Sequence, residues 1–117
     1  MSQTLTVVRN AAASPLGAPA PARLPIGEPI AQAASAQDQT AEAVGASIGV
    51  WESSPGVFRR FLKNREFSHI ISGRCTFTPD GGEPLTIEAG DAVMLPANST
   101  GIWDIEETVR KTYVLIF

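Results

Sequence analysis

The sequence predicts an all-β protein, a jelly-roll barrel of about eight or more short antiparallel strands that follows an Ala/Pro-rich N-terminal arm. From residue 46 onward, short apolar segments alternate with turns built from Gly, Pro and Asn. The turn Pro79-Asp-Gly-Gly82 is a strong hairpin signal. Every Trp, Tyr and Phe lies from Trp51 onward, so the aromatic part of a core belongs to the second segment. At 117 residues the chain is large enough for one core only.

Residues 1–45 form the predicted arm, and residues 46–117 the predicted barrel. The arm is rich in Ala and Pro and has no aromatic side chain, so it cannot build a core alone. Four prolines between positions 19 and 29 disfavour a helix and suit an extended segment at a sheet edge. The Ala-rich stretch from Ile30 to Val44 predicts a short helix. We expect the arm to be partly extended or mobile.

The turn residues divide the second segment into predicted strands. In chain order these strands are Ser47 to Glu52, Val57 to Lys63, Glu66 to Ser72, Arg74 to Thr78, Pro84 to Glu88, Ala92 to Leu95, Gly101 to Glu106 and Val109 to Phe117. Closing such strands into a barrel removes most exposed sheet edges.

Strand alternation predicts which side chains reach the barrel interior. If Glu66 points inward, Ser68 and Ile70 do too, while His69 faces out. The same rule places an apolar interior beside a polar cluster near one mouth, which is typical of a small-molecule pocket. The candidate ligand-binding residues are Trp51, Arg60, Glu66, Trp103, Lys111 and Tyr113. Arg59, Arg65 and Arg110 are predicted to be solvated surface charges.

Two segments carry a family resemblance: Glu66-Phe-Ser-His-Ile-Ile-Ser-Gly73 and Gly90-Asp-Ala-Val-Met-Leu-Pro96. The pair resembles the two half-motifs of a cupin. Further landmarks at consistent spacing, among them Gly49-Val-Trp-Glu-Ser-Ser-Pro-Gly56 and Glu107-Thr-Val-Arg-Lys111, are similar to the small single-domain cupins grouped with the ureidoglycine aminohydrolase cupin domain. The resemblance implies a cupin barrel and a homodimer.

The resemblance also implies where a metal would bind, and this chain departs from that pattern. Metal-binding cupins carry two His residues shortly before the motif glutamate and a third after the motif proline. Here those positions hold Arg60, Leu62 and Gly101, so Glu66 is the one motif ligand present. The family's namesake enzyme holds manganese with Glu, His and Gln side chains. We expect no cofactor and no tightly bound metal here, with a divalent metal such as manganese as the weaker alternative.

Glu66 has two interpretations that do not exclude each other. It forms a buried ion pair with Arg60 or Lys111, or it is a base or hydrogen-bond acceptor for a ligand, with Lys111 or Tyr113 at the opposite end. The leading functional hypothesis is therefore a cupin that binds a small polar metabolite in the barrel interior without metal. The alternatives are an enzyme, a lyase, isomerase or ureidoglycine-aminohydrolase-like hydrolase that uses Glu66 as base or metal ligand, and a structural module with a filled barrel.

Charge and composition limit the other partners and the location. The net charge is −3 and there is no basic cluster, which excludes nucleic acid and anionic membranes as expected partners. No apolar run has the length of a membrane helix. Cys75 is the one cysteine, and no secretory signal pattern is evident, so we expect a cytoplasmic protein.

Overall fold

A computed structural model describes residues 4–117 of the chain, and it is an all-β jelly roll. This confirms the predicted fold class. The strands are β1 (Ala20–Pro21), β2 (Gln32–Ala41), β3 (Ala46–Ser53), β4 (Gly56–Leu62), β5 (Arg65–Pro79), β6 (Leu85–Glu88), β7 (Ala92–Leu95) and β8 (Ser99–Ile116). Single turns of 3-10 helix occur at Ala11–Ala13 and Glu42–Val44. Within residues 4–117, no helix is both long enough and apolar enough to cross a membrane.

Two long antiparallel strands, β5 and β8, organise the sheet. Their first and second halves take different neighbours. The half of β8 that begins at Ser99 pairs with β4, and the half that ends at Ile116 pairs with β3. In the same way β5 pairs first with β7 and then with β6. The sheet therefore folds over along these two strands, and the inner faces of its halves enclose the core.

Gly73 lies where β5 changes neighbours. The β5 to β8 register shifts on both sides of this residue, and Gly73 has a φ of 90°, in the left-handed region that favours glycine. A Cβ at this position would lie 2.0 Å from the carbonyl oxygen of Thr108. The sequence predicts two strands on either side of this glycine, and the structure has one continuous strand with a bulge.

The core lies between the two halves of the sheet. Its buried side chains come from β4 to β8 and from Ala31, with Trp51 of β3 packed at its margin. Its buried members are Ala31, Phe58, Leu62, Ile70, Cys75, Phe77, Ile87, Leu95, Ile105 and Val109. The free thiol of Cys75 is 1% exposed, and burial raises its pKa to about 11, so it is an unreactive core residue.

The helix predicted from Ile30 to Val44 is wrong. This stretch contains β2, a ten-residue strand that pairs with β3, and ends in a 3-10 turn. The Ala-rich composition favours a helix locally, but the edge of β3 offers a ladder of backbone hydrogen bonds that decides the outcome. Part of the proline-rich segment before it lies along β4: the backbone of Leu24 and Ile26 hydrogen-bonds to Arg59 and Val57 of that strand.

Arg110 is also not the solvated surface residue that the sequence predicts. Its side chain is 11% exposed and pairs with Glu52 at 3.0 Å. It also donates hydrogen bonds to the carbonyl oxygens of Ala11 and Ser14. The residue therefore ties the N-terminal segment to the outer face of the sheet. Arg59, by contrast, forms an exposed ion pair with Asp80, as a surface residue does.

Candidate functional site

A buried ion pair lies at one mouth of the barrel. Glu66 on β5 is 4% exposed, and its Oε2 atom accepts hydrogen bonds from Lys111 Nζ at 2.6 Å and from Ser68 Oγ at 2.7 Å. Ser68 lies two residues further along β5, so alternation puts both side chains on the inner face. His69, the next residue after Ser68, is exposed on the outer face, where the sequence pattern places it.

Glu66 is ionised at neutral pH. Burial raises the pKa of its carboxyl group, but this effect is outweighed by the charge of Lys111, the hydrogen bonds from Lys111 and Ser68, and the charge of Arg60. The net pKa is lower than the usual value of 4.5. Of the two partners that the sequence offers for Glu66, Lys111 makes the direct contact and Arg60 acts through its charge.

Two tryptophans flank the ammonium group of Lys111. Its Nζ atom lies 4.8 Å from the ring centroid of Trp51 and 5.8 Å from that of Trp103. Both distances are in the range of cation–π attraction. Trp103 also packs against Phe77, with ring centroids 4.5 Å apart. Lys111 is therefore held in place by a carboxylate and two aromatic faces.

Tyr113 continues the polar surface away from the pair. It lies two residues after Lys111 on β8, and its hydroxyl donates a 2.8 Å hydrogen bond to Asp38. Burial, and then the hydrogen bond and charge of Asp38, raise the pKa of Tyr113, so the phenol stays protonated. Gly49 on β3 faces the ring: a Cβ there would lie 2.6 Å from the Tyr113 hydroxyl oxygen. The glycine thus leaves the space that the phenol fills.

Arg60 on β4 is the remaining predicted residue. Its side chain is partly buried and lines the same mouth as Glu66 and Lys111. Among residues 4–117, no carboxylate forms an ion pair with its guanidinium group. Arg60 therefore brings a positive charge and unused hydrogen-bond donors to the mouth.

The enclosed interior and the mouth differ greatly in size. The enclosed cavity among Phe58, Cys75, Trp103 and their neighbours has a volume of about 20 Å³. That volume holds about one water molecule. An open cleft at the mouth measures about 270 Å³, close to the lower end of ligand-pocket volumes. The barrel interior, which the sequence predicts as the ligand site, is therefore much smaller than the cleft at its mouth.

Five of the six predicted residues line the mouth cleft. These are Trp51, Arg60, Glu66, Lys111 and Tyr113. Trp103 does not line it and belongs to the wall of the enclosed interior.

The sequence analysis missed three polar residues of the cleft, namely Ser35, Asp38 and Ser47. Two of them come from β2, where the sequence predicts a helix. The β2 to β3 register shifts between Ala36 and Gln39, and Gln37 has a φ of 53°. This bulge brings Asp38 within reach of Tyr113.

A divalent metal does not fit this site. Metal-binding cupins use the motif glutamate as a ligand, but here the Oε2 atom of that glutamate holds an ammonium group at 2.6 Å. A metal ion beside Glu66 would be repelled by Lys111 and Arg60. Within residues 4–117, no three His, Cys, Asp or Glu side chains are grouped closely enough to bind a metal ion. The side chains at this site therefore do not support the manganese alternative.

The barrel, the inward motif glutamate and the polar mouth define a cupin. The chain belongs to the EutQ-like cupin domain family, whose model matches residues 40–113. The match confirms the predicted cupin resemblance. The narrower resemblance to ureidoglycine aminohydrolase cupins stays a prediction.

Solved structures share this fold. EutQ of Clostridium difficile is 20% identical and superposes with a TM-score of 0.64 over 74% of this chain and 68% of that one. A DUF861-family protein of unknown function from Pseudomonas syringae pv. tomato is 28% identical, with a TM-score of 0.73 over 87% of this chain. This chain spans only 43% of that protein. A DUF861-family protein of Thermotoga maritima is 31% identical, with a TM-score of 0.56 over 57% of this chain and 76% of that one.

No protein with a curated functional description matches the sequence significantly. The comparisons therefore supply the family and the fold, and the function has to be argued from the site.

Proposed function

We propose that this cupin binds a small polar metabolite with an acidic group in the mouth cleft, without a tightly bound metal. The observation that carries the proposal is the guanidinium group of Arg60, which lines a 270 Å³ cleft and has no carboxylate partner among residues 4–117. Guanidinium groups bind carboxylates and phosphates through paired hydrogen bonds. A partly buried arginine whose guanidinium group makes no direct contact with a carboxylate is thus suited to a ligand that supplies one.

The other cleft residues have distinct roles in this proposal. Both hydrogen bonds to Glu66 reach Oε2, so Oε1 is available to accept a hydrogen bond from the ligand. Asp38 and the Tyr113 hydroxyl form a second polar contact on another wall, and Trp51 supplies an apolar face. The ligand would then place its acidic group on Arg60 and a donor group, such as a hydroxyl or amide, toward Glu66 or Asp38.

Binding is better supported than catalysis with Glu66 as base. A general base at neutral pH works best with a pKa near 7, whereas the pKa of Glu66 is lowered. Its carboxylate is also engaged by Lys111 and Ser68. The filled interior agrees with the structural-module alternative, but the open cleft and the unpaired Arg60 are features that such a module does not need.

A calorimetric screen of small hydroxy, amido and ureido acids tests the proposal, with two arginine variants compared. Arg60→Gln should weaken binding of any acid found by at least about tenfold, because a charge-assisted hydrogen bond is lost. Arg74→Gln is the control, since Arg74 forms an exposed ion pair with Glu106 and does not line the cleft. Equal binding by wild type and Arg60→Gln, or no binding of any acid, would contradict the proposal.

The metal-free part of the proposal has its own measurement. Purified protein should contain far less than one equivalent of transition metal, and a chelator should leave its melting temperature unchanged. Stoichiometric manganese, zinc or iron in elemental analysis would show that the ion pair of Glu66 and Lys111 opens to admit a metal.

The homodimer that the resemblance implies remains a proposal. Phe67, Met94 and Val114 are register partners on the outer face, and the first two are exposed. We place the contact between two copies on this apolar row, because exposed contiguous apolar side chains commonly mark interfaces. Light scattering should give twice the chain mass for wild type and a lower mass for Phe67→Ser. A monomeric wild type would contradict the homodimer.

A further inference from the structure

A second hollow adjoins the mouth cleft and is wider. It measures about 600 Å³ and lies between the arm segment Ala20–Leu24 and the barrel. Trp51 and Arg60 line both spaces, so the two hollows meet at these side chains. We call this space the arm groove. Its volume is well within the range of ligand pockets.

The walls of the arm groove are more apolar than polar. Pro21, Leu24, Phe58 and Phe61 contribute large apolar surfaces, and Arg23, Ser53 and Arg59 are its polar members besides Arg60. The mouth cleft on the other side of Arg60 is lined by Asp38, Glu66, Lys111 and Tyr113. A polar cleft and a more apolar groove therefore adjoin at Arg60.

Backbone hydrogen bonds join the arm segment that forms the outer wall of the groove to the barrel. Ala22 donates a backbone hydrogen bond to Ala31, Arg59 donates one to Leu24, and Ile26 donates one to Val57, with distances of 2.8 to 3.0 Å. The groove is thus part of the folded structure. Water contacts its apolar lining unless a ligand covers it.

From this geometry we infer that the ligand is an organic acid with an apolar tail. The acidic group binds Arg60 where the hollows meet, any polar substituents face the mouth cleft, and the tail lies in the arm groove against Phe58 and Pro21. This inference rests on the proposed function, because it uses the same arginine. It adds the class of ligand, an amphipathic carboxylate, and gives the N-terminal arm a binding role.

Calorimetry of the full chain with acetate, butyrate, hexanoate and octanoate tests the inference. Each methylene buried in the groove should tighten the dissociation constant about threefold, so octanoate should bind roughly 50- to 100-fold more tightly than butyrate. Octylamine has a similar tail without the acid and should bind far more weakly than octanoate, because Arg60 repels its ammonium group.

Ala20→Trp fills the groove from its exposed edge and should remove most of the gain in affinity from butyrate to octanoate. Ala33→Leu fills the groove from β2 and provides the same test if Ala20→Trp does not fold. Leu85→Trp changes an exposed apolar residue elsewhere and should behave as wild type.

The outcomes separate this inference from the proposed function. Acids that bind equally well at every chain length would overturn the amphipathic ligand and leave the proposed function standing. Octylamine that binds as tightly as octanoate, or a chain-length gain that persists in both filled variants, would also overturn the inference. If no acid in this series or in the screen binds, both proposals fail.

Discussion

Glu66 and Lys111 are the pair of residues on which the barrel mouth depends. Both side chains are nearly removed from solvent, with 5% and 13% exposure, and each offsets the other's cost of leaving water. Glu66→Gln keeps the shape but removes the negative charge, so Lys111 is left buried with a neutral partner. We expect this change to lower the free energy of unfolding by about 1 to 4 kcal/mol, as measured by urea titration.

The matched control replaces both partners. Glu66→Gln combined with Lys111→Met removes the uncompensated charge and should recover most of the lost stability, since apolar replacement of a buried pair is often near neutral. If the double variant is as unstable as the sum of the two single variants, the pair is not coupled as its 2.6 Å contact indicates.

The lowered pKa of Glu66 predicts an acid dependence of stability. A carboxyl group whose pKa is lower in the folded state stabilises the fold above its unfolded value of 4.5, and this contribution disappears as the pH falls through the folded pKa. Wild type should therefore lose its advantage over Glu66→Gln below about pH 4.5. Urea titrations of both proteins between pH 7 and pH 3 measure the difference between their free energies of unfolding. A difference that stays constant over this range would contradict the lowered pKa of Glu66.

At the scale of elements, the bulge at Gly73 lets β5 pair with β7 and then with β6. Gly73→Ala adds a Cβ that would lie 2.0 Å from the backbone oxygen of Thr108, and it also forces a left-handed φ on alanine. We expect Gly73→Ala to lower the free energy of unfolding by at least about 3 kcal/mol, because the backbone must move to relieve the contact.

Gly81→Ala is the control for that variant. Gly81 also has a positive φ, 74°, but a Cβ there would have no atom within 4 Å. Gly81→Ala should therefore lower the free energy of unfolding by only about 1 kcal/mol. Similar losses for the two variants in urea titration would show that backbone conformation, and not the contact with β8, sets the cost at Gly73.

The elements also show how far the sequence could predict this structure. On β5 strand alternation assigns Glu66, Phe67, Ser68 and His69 to the correct faces once Glu66 is taken to point inward, as the cupin resemblance implies. Hydrophobicity alone would give the opposite faces, since Glu66 and Ser68 are buried and Phe67 is exposed. On β2 the residues are mostly Ala, Gln and Ser, which have no strong strand preference, and the bulge at Gln37 interrupts the alternation. The strand forms through pairing with β3, so Asp38 could not be assigned to the site from local pattern alone.

At the scale of the whole molecule, the N-terminal segment is joined to the barrel in two places. Its beginning lies on the outer face, where Gln37, Gln39 and Arg110 donate hydrogen bonds to backbone carbonyl oxygens of residues 7–14. Its later part, residues 20–26, pairs with β2 and with β4. The sequence predicts a separate arm, and the structure makes its second half an edge of the barrel sheet.

Two deletions measure these attachments separately. Removal of residues 1–12 takes away four hydrogen bonds that Gln37, Gln39 and Arg110 make with the backbone of residues 7–11. Arg110 keeps Glu52 and Ser14 as partners. Three of the four lost hydrogen bonds are solvent-exposed, so we expect the free energy of unfolding to fall by about 1 to 3 kcal/mol. Removal of residues 1–29 also takes away Ser14 and β1, and it uncovers backbone groups of β4. This variant should lose more than about 4 kcal/mol or fail to unfold cooperatively.

Urea titrations followed by tryptophan fluorescence compare the two deletions, since Trp51 and Trp103 both lie in the part of the barrel that remains. The longer deletion also removes the outer wall of the arm groove. If it folds, it should bind octanoate no more tightly than butyrate, whereas the shorter deletion should keep the full gain with chain length. Equal stability of the two deletions would mean that residues 13–29 contribute nothing to the barrel, and that their backbone hydrogen bonds to β4 are replaced by water without loss.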